Sequence, residues 1–276
     1  MAKEIYHLEQ DLATIETKTA DLAADICDAY EMYLQLLAEF LAKYLIFAGY
    51  QICTKFYAED FLSLSLTQRQ NLQQSLRQIS DQGNKNLQHL IAQLQSGLES
   101  TKPEKVDDLS SGEEISESIP ELPEGKSFNN PEYLLQVLSK LEQAMVKILQ
   151  GMSNNANLLL QEANVLSAQL PAKVLEAATQ VEGSNSSVSG TMNLINVLVE
   201  IEQEESEENS DLTKITAIYL RLGEIEFAES SLSIQRSQIR DLVASLKNLA
   251  QQYRKSKKQL TLAQAEAAWR ASWFED

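Results

Sequence analysis

Turn-forming residues are scarce in this chain, which has only 9 Gly and 5 Pro among 276 residues. A sheet protein of this length would need many more of them, because tight turns depend on backbone conformations that Gly and Pro favour. Leu, Gln, Glu, Ala and Ser dominate instead, which is typical of long helices. The sequence therefore predicts an all-α fold of long coiled-coil-type helices, packed as antiparallel hairpins or as an elongated helical bundle.

Positive charge is scarce as well, since 23 Lys and Arg face 40 Asp and Glu and the formal net charge is −17. Affinity for nucleic acid comes largely from Lys and Arg that displace counterions from phosphates. A strongly acidic surface repels phosphate, so general DNA or RNA binding is disfavoured.

The chain has only two cysteines, Cys27 and Cys53, and two histidines, His7 and His89. In one continuous helix the cysteines would lie about 39 Å apart at roughly 1.5 Å per residue. That distance excludes a disulfide between them, and a reducing compartment is the simpler interpretation. Glu4 and His7 have the spacing of a di-iron helix motif, but the second motif that such a site needs is missing. The glycines are scattered singly, whereas a loop that binds phosphate needs them clustered. From these missing patterns together we predict no enzyme, no cofactor and no metal site.

Long apolar runs without charge are also missing. The most lipophilic stretch, 33–53, is interrupted by Glu39 and Lys43, whereas a spanning helix needs about 20 apolar residues with few charges. Residues 1–10 lack the apolar core of a secretory signal. We therefore expect a cytoplasmic protein without a membrane-spanning helix.

Apolar residues recur at intervals of seven from Ile5, which predicts a long helix to about Tyr57. One row is Ile5, Leu12, Ile26, Tyr33, Phe40 and Phe47, and the other is Leu8, Ile15, Leu22, Ala29 and Leu36. Thr67 is a candidate cap for a second helix, in which Gly83 favours a bend. Together they predict an N-terminal helical hairpin over residues 1–99.

The stretch 100–130 is rich in Pro, Ser and acidic residues and predicts a flexible acidic linker. Asn130 before Pro131 is typical of a helix start and opens a C-terminal helical region over 131–276. Within this region, 191–201 is a candidate short helix, and the acidic block 200–211 predicts a solvated loop or the first turn of the next helix.

The last segment, from Asp211 to about Phe274, has the clearest repeat and predicts a long terminal coiled-coil helix. Its apolar residues at strict intervals of seven are Ile218, Ile225, Leu232, Ile239, Leu246, Tyr253 and Leu260. Polar residues in the companion row weaken a simple two-stranded parallel zipper. Leu222, Val243 and Ala250 widen the apolar stripe, which suits packing against more than one neighbour in a bundle.

Three groups of residues are candidates for binding. The aromatics Tyr44, Phe47 and Tyr50 belong to a cluster over 30–61, which predicts a tightly packed bundle end, an interface groove or a membrane-surface helix. Trp269, Trp273 and Phe274 are candidate anchors for a partner, because Trp residues four apart share one helix face. The patch Arg254, Lys255, Lys257 and Lys258 is a solvated helix face or contacts the acidic linker, an acidic partner or anionic lipid.

The stretches Leu62–Ile79 and Ala265–Asp276 resemble Gln- and Leu-rich helical coiled-coil proteins of cyanobacteria. The resemblance implies a bacterial cytoplasmic setting near thylakoids and transfers no functional residue. From the residues themselves we predict a non-enzymatic interaction or scaffold protein that mediates protein assembly. The alternative is a peripheral membrane protein that self-assembles on lipid through amphipathic helices. Self-association stays open, because an apolar stripe can be covered within one chain or between chains.

Overall fold

The computed structural model describes residues 2–99, 128–166, 192–201 and 211–272. Helices predominate in these ranges, together with a two-stranded sheet, so the predicted all-α fold class is confirmed. The elements, in chain order, are α1 Ala2–Gln51, a π-helix Ile52–Phe56, α2 Ala58–Ser63, α3 Leu66–Glu99, α4 Pro131–Glu162, β1 Leu194–Ile201, β2 Asp211–Ile218, α5 Leu222–Ala228 and α6 Ser230–Ala271.

The chain forms two compact units, and each combines segments from before and after the predicted linker. Unit 1 comprises Met1–Leu34, Gln88–Ala144 and Ser233–Asp276, and unit 2 comprises Gln35–Leu87 and Met145–Leu232. The core of unit 1 includes Ile26, Tyr30, Tyr33, Leu34, Leu90, Leu94, Leu134, Leu141, Ile239 and Leu246. The core of unit 2 includes Leu37, Leu41, Leu45, Ile52, Leu76, Leu87, Leu149, Leu160, Ile218 and Ile225.

The buried side of α1 does not follow the predicted seven-residue rows along the whole helix. Tyr33 is buried, but Phe40 is only half-buried and Phe47 is 45% exposed. A straight α-helix rotates by about 20° per heptad relative to a strict seven-residue repeat, so such a row leaves the core after a few turns. The buried row instead has an eleven-residue period and consists of Tyr30, Leu34, Leu37, Leu41, Leu45, Ala48 and Ile52.

The predicted seven-residue row from Ile218 onward is buried over more of its length than the row in α1, although it crosses three elements. Ile218 in β2, Ile225 in α5 and Leu232 in α6 are buried. Ile239, Leu246 and Tyr253 continue the row in the core side of α6. Burial falls at Leu260, which is half-buried although the sequence repeat continues.

Two helix predictions are wrong, because 194–201 and 211–218 form an antiparallel β-hairpin. Its register runs from Leu194 opposite Ile218 to Ile201 opposite Asp211. Both segments are rich in β-branched residues, which fit a pleated sheet better than a helix. The predicted terminal helix therefore begins only at α5 and α6, and positions 202–210 of the acidic block lie outside the described residues.

The starts of α3 and α4 are set by side-chain caps. Ser65, rather than the predicted Thr67, caps α3: its hydroxyl accepts the Gln68 N–H at 3.3 Å, and Gln68 Oε1 accepts the Ser65 N–H at 2.8 Å. This reciprocal pair is a capping box. The predicted cap of α4 is confirmed, because Asn130 Oδ1 accepts the Glu132 N–H at 2.9 Å.

Two glycines of α3 allow close packing against other segments. A Cβ at Gly83 would overlap the thioether of Met152, so this glycine allows α3 to pack closely against α4. The predicted bend at Gly83 does not interrupt α3, which continues as one helix. A Cβ at Gly97 would overlap the ring of Phe128. Phe128 is buried, although it belongs to the predicted linker 100–130, whose other positions before 128 lie outside the described residues.

Cys27 and Cys53 form no disulfide, as the helix geometry predicted, and both are buried. Burial raises the pKa of the Cys53 thiol to about 11. Burial, with the charges of Asp28 and Glu31, raises the pKa of Cys27 to about 12.

One described helix, Lys3–Phe56, is long and apolar enough to cross a membrane by length and composition. More than half of its most apolar window is buried within the protein, and the core helix of a soluble protein passes the same test. The prediction that no segment spans a membrane therefore stays a prediction.

Candidate interaction surfaces

In unit 1 the start of α1 and the end of α6 run side by side in opposite directions. The Tyr253 hydroxyl donates to Glu16 Oε1 at 3.4 Å, and the Arg236 guanidinium lies 5.5 Å from the centre of the Tyr33 ring. The same number of residues, 17, separates Glu16 from Tyr33 on α1 and Arg236 from Tyr253 on α6. The two helices therefore stay in register over these 17 residues, as expected of an antiparallel pair.

Beyond Ile15 of α1 and Tyr253 of α6 the two helices continue without a buried residue. None of residues 3–14 of α1 is buried, and none of residues 254–272 at the end of α6 is buried. Half-buried apolar residues still recur at intervals of three and four, which is the spacing of a helix face that meets a neighbour. They are Ile5, Leu8 and Leu12 on α1 and Leu260, Ala263 and Ala267 on α6. We name this part of unit 1, residues 3–14 with 254–272, the α1/α6 end.

Other described helices contact the antiparallel pair up to the first residue of the α1/α6 end, Arg254. Glu132, in the first turn of α4, forms an ion pair with Arg254. Gln95, near the end of α3, donates to Glu31 at 2.9 Å. Burial in α6 falls after Tyr253 because α4, which packs against α6 through Glu132 and Arg254, begins only at Pro131.

The predicted basic patch lies on the α1/α6 end. Arg254 is paired with Glu132, and the Lys257 ammonium lies 5.7 Å from the centre of the Tyr253 ring. Lys255 and Lys258 are exposed. Glu132 was not singled out from the sequence, because its partner is 122 positions away and no local pattern joins them.

Of the predicted anchors, the structure places Trp269 near the end of α6, where it is 66% exposed. The Ser272 hydroxyl donates to the Trp269 carbonyl at 2.8 Å. Trp273 and Phe274 lie outside the described residues, so the shared face of the two tryptophans stays a prediction.

The three aromatic candidates of unit 2 separate into core and surface. Tyr44 is buried, and its hydroxyl donates to Glu229 Oε1 at 2.8 Å. Burial and this contact raise the pKa of Tyr44 to about 12. Lys43 binds the same carboxylate oxygen at 2.8 Å. Phe47 and Tyr50 are exposed on α1, together with Ile46.

A polar cluster in unit 1, which the sequence did not indicate, joins three helices. The Tyr30 hydroxyl donates to Glu142 Oε1 at 2.6 Å, and Arg236 binds both oxygens of the same carboxylate, with Nη2 at 2.7 Å from Oε2. Burial and Glu142 raise the pKa of Tyr30 above its ordinary value. The cluster fixes the alignment of α1, α4 and α6, because each helix supplies one member at a defined height.

In unit 2, side chains bind the edge of β2 that faces away from β1. The N–H of Thr216 donates to the Tyr57 hydroxyl at 3.0 Å, and the N–H of Leu220 donates to Ser153 Oγ at 2.9 Å. Asn157 binds both backbone groups of Ile218. An open strand edge invites pairing with other chains, and these contacts cover it.

Among the described residues, no group of three or more His, Cys, Asp and Glu side chains is placed to hold a metal ion. His89 contacts Gln93, one turn further along α3, at 3.0 Å.

Comparison of the chain with protein-family models, with curated proteins and with solved structures finds no match. The resemblance to cyanobacterial helical proteins therefore stays an expectation from the sequence.

Proposed function

We propose that the protein acts without catalysis, as a helical interaction or scaffold protein that mediates the assembly of proteins. The observation that carries this proposal is the α1/α6 end, in which two long helices continue past Ile15 and Tyr253 without a buried residue. Helical stability in proteins comes mainly from packing of an apolar face. Another protein surface can therefore pack on a helix pair whose apolar rows are only half buried.

The side chains at this end support the same function. Trp269 is a large aromatic residue exposed at the end of α6, and Trp is enriched among residues that dominate binding energy. Lys255 and Lys258 are exposed on the same helix, 14 and 11 residues before Trp269, where charge complementarity would set specificity and the rate of encounter.

The test is in-cell crosslinking followed by purification of the full chain. We compare the wild type with a Trp269→Ala and Trp273→Ala double variant. Phe227→Ala is the matched control, because Phe227 is 90% exposed in unit 2. We expect the double variant to lose its crosslinked proteins and the control to retain them. Retention of every crosslinked protein by the double variant would show that the tryptophans are not the anchor.

A second candidate function, peripheral attachment to a membrane, is favoured by a different observation. Ile46, Phe47 and Tyr50 are exposed at intervals of one and three residues on α1, within a helix that contains a stretch apolar enough to cross a membrane. Exposed apolar residues on one helix face are typical of proteins that bind the lipid interface.

Flotation with vesicles of neutral lipid, and of neutral lipid mixed with phosphatidylserine, tests this candidate. A Phe47→Ser and Tyr50→Ser double variant should lose flotation, whereas Leu62→Ser, at another exposed position of unit 2, should retain it. No flotation of the wild type on either vesicle at low salt would eliminate membrane attachment.

A further inference from the structure

The α1/α6 end carries opposite charges on its two helices. Residues 2–16 of α1 contain four acidic side chains and one lysine, whereas residues 254–272 of α6 contain five basic side chains and one glutamate. The acidic residues are Glu4, Glu9, Asp11 and Glu16, and the basic residues are Arg254, Lys255, Lys257, Lys258 and Arg270. Continued in the antiparallel direction that the contacts of Glu16 with Tyr253 and Tyr33 with Arg236 define, the acidic start of α1 lies beside the basic end of α6.

The apolar rows of the α1/α6 end are only half covered. Leu8 and Leu12 on α1 and Leu260 on α6 are half-buried, whereas Leu246, two turns before Tyr253, is fully buried. Two helices alone cannot enclose their shared apolar row, and a four-helix arrangement can. Enclosing the row would stabilise the assembly in proportion to the apolar surface removed from water.

The charge pattern selects the occupant. A partner with one sign of charge, such as a nucleic acid or an acidic peptide, would be attracted by one helix and repelled by the other. A second copy related by a two-fold axis presents the same pair reversed, so the acidic helix of each copy can face the basic helix of the other. This pairing satisfies both charges and covers both apolar rows.

We propose that the α1/α6 end is a homodimer interface, in which residues 3–14 and 254–272 of two copies form a four-helix bundle. The inference rests on the proposed function of this end as an interaction surface, and it names the partner as a second copy of the chain.

Sedimentation equilibrium of the purified full chain across concentrations tests the proposal. At low salt the mass should approach twice the 30.9 kDa of one chain, and dissociation should increase with salt because exposed charges are screened. A monomer at every concentration in low salt would overturn the proposal.

Charge reversal locates the interface. Lys257→Glu with Lys258→Glu, and separately Glu9→Lys with Asp11→Lys, should each weaken the dimer by about tenfold or more, because like charges then face each other. An equimolar mixture of the two variants should form a heterodimer, since opposite charges again meet between chains. Restoration by mixing excludes a purely intrachain effect, because each chain still carries its own repulsive pair.

The matched control is Arg240→Glu with Lys247→Glu, two exposed positions of α6 outside the α1/α6 end. It should leave the dimer unchanged, and circular dichroism should show the same helix content for every variant. A dimer that resists both interface reversals overturns the proposed interface.

The two proposals fail separately. A monomer that still crosslinks to other proteins through Trp269 would overturn the homodimer and leave the scaffold function standing. A dimer that forms through this end and crosslinks only to itself would support the homodimer and contradict a role in assembling other proteins.

Discussion

Asn157 of α4 binds Ile218 of β2 as a neighbouring strand would. Its Nδ2 donates to the Ile218 carbonyl oxygen at 2.8 Å, and its Oδ1 accepts the Ile218 N–H at 2.9 Å. Both residues are buried, so no water competes for these groups. A single helix side chain thus completes the hydrogen bonding of a strand edge, and several predictions about stability depend on contacts of this kind.

Asn157→Leu should destabilise the protein by about 2 to 4 kcal/mol, because it leaves a buried N–H and a buried carbonyl without partners. Urea unfolding measures the loss. The control is Asn155→Ala, an exposed asparagine in the same turn of α4, which should change stability by about 0.5 kcal/mol or less. Equal stability of the two variants would contradict the role of Asn157.

Glu142→Gln should lower the free energy of unfolding by about 1 to 3 kcal/mol, because it removes the negative charge that holds Arg236. The Arg236 side chain is only 18% exposed, so water replaces the lost partner poorly. Glu132→Gln on the same helix should cost about 1 kcal/mol or less, since its partner Arg254 is 65% exposed. A larger loss for Glu132→Gln in thermal unfolding would argue against this ranking.

Gly97→Ala should destabilise by about 1 to 2 kcal/mol, because the overlap with the stiff Phe128 ring outweighs the gain in helix propensity. Gly151→Ala is its matched control. A Cβ at Gly151 in α4 meets no atom within 4 Å, so alanine there should stabilise by about 0.5 to 1 kcal/mol. The opposite signs are checked by comparing melting temperatures, and stabilisation by both changes would show that Phe128 yields at little cost.

Ser65→Ala should destabilise α3 and lower the free energy of unfolding by about 1 kcal/mol, because it removes the capping box with Gln68. Thr67→Ala distinguishes the predicted cap from the observed one. Thr67 is exposed inside the first turn, and its loss should be clearly smaller than that of Ser65. Denaturant unfolding of both variants decides, and a greater loss at Thr67 would favour the sequence-based assignment.

Cys27 should make stability depend on alkaline pH. Its pKa is raised from 9.0 to about 12 in the folded protein, so the folded state binds the proton more tightly than the unfolded state. Its contribution is therefore complete below about pH 9 and is lost as the pH rises towards 12. In this window the slope should approach about 1.4 kcal/mol per pH unit.

Cys27→Ala should flatten this slope, although it lowers stability at neutral pH by removing buried volume. The free energy of unfolding in urea is measured for wild type and variant at about one-unit steps from pH 8 upward. The difference between the two curves gives the contribution of Cys27. An identical pH profile for both proteins would show that Cys27 does not titrate as its buried position requires.

The sequence by itself determined the helical class, the start of α4 and much of the core of α6. Asn130 and Pro131 act through adjacent backbone groups, so their effect is visible without any tertiary contact. Ile239 and Leu246 repeat at the interval of the helix and are buried. The basic residues and Trp269 were also recognisable, because charge and aromatic character are properties of the residues themselves.

Only the tertiary structure determined which residues of a repeat are buried and which segments form strands instead of helices. Phe47 continues a seven-residue row but lies on the surface, because a straight helix turns such a row away from the core. Residues 194–201 could satisfy their apolar character as a helix or as a strand, and pairing with β2 settled the choice. The contacts of Glu142 and Asn157 join positions 61 to 112 residues apart, and distances of that kind are fixed only when the whole chain packs.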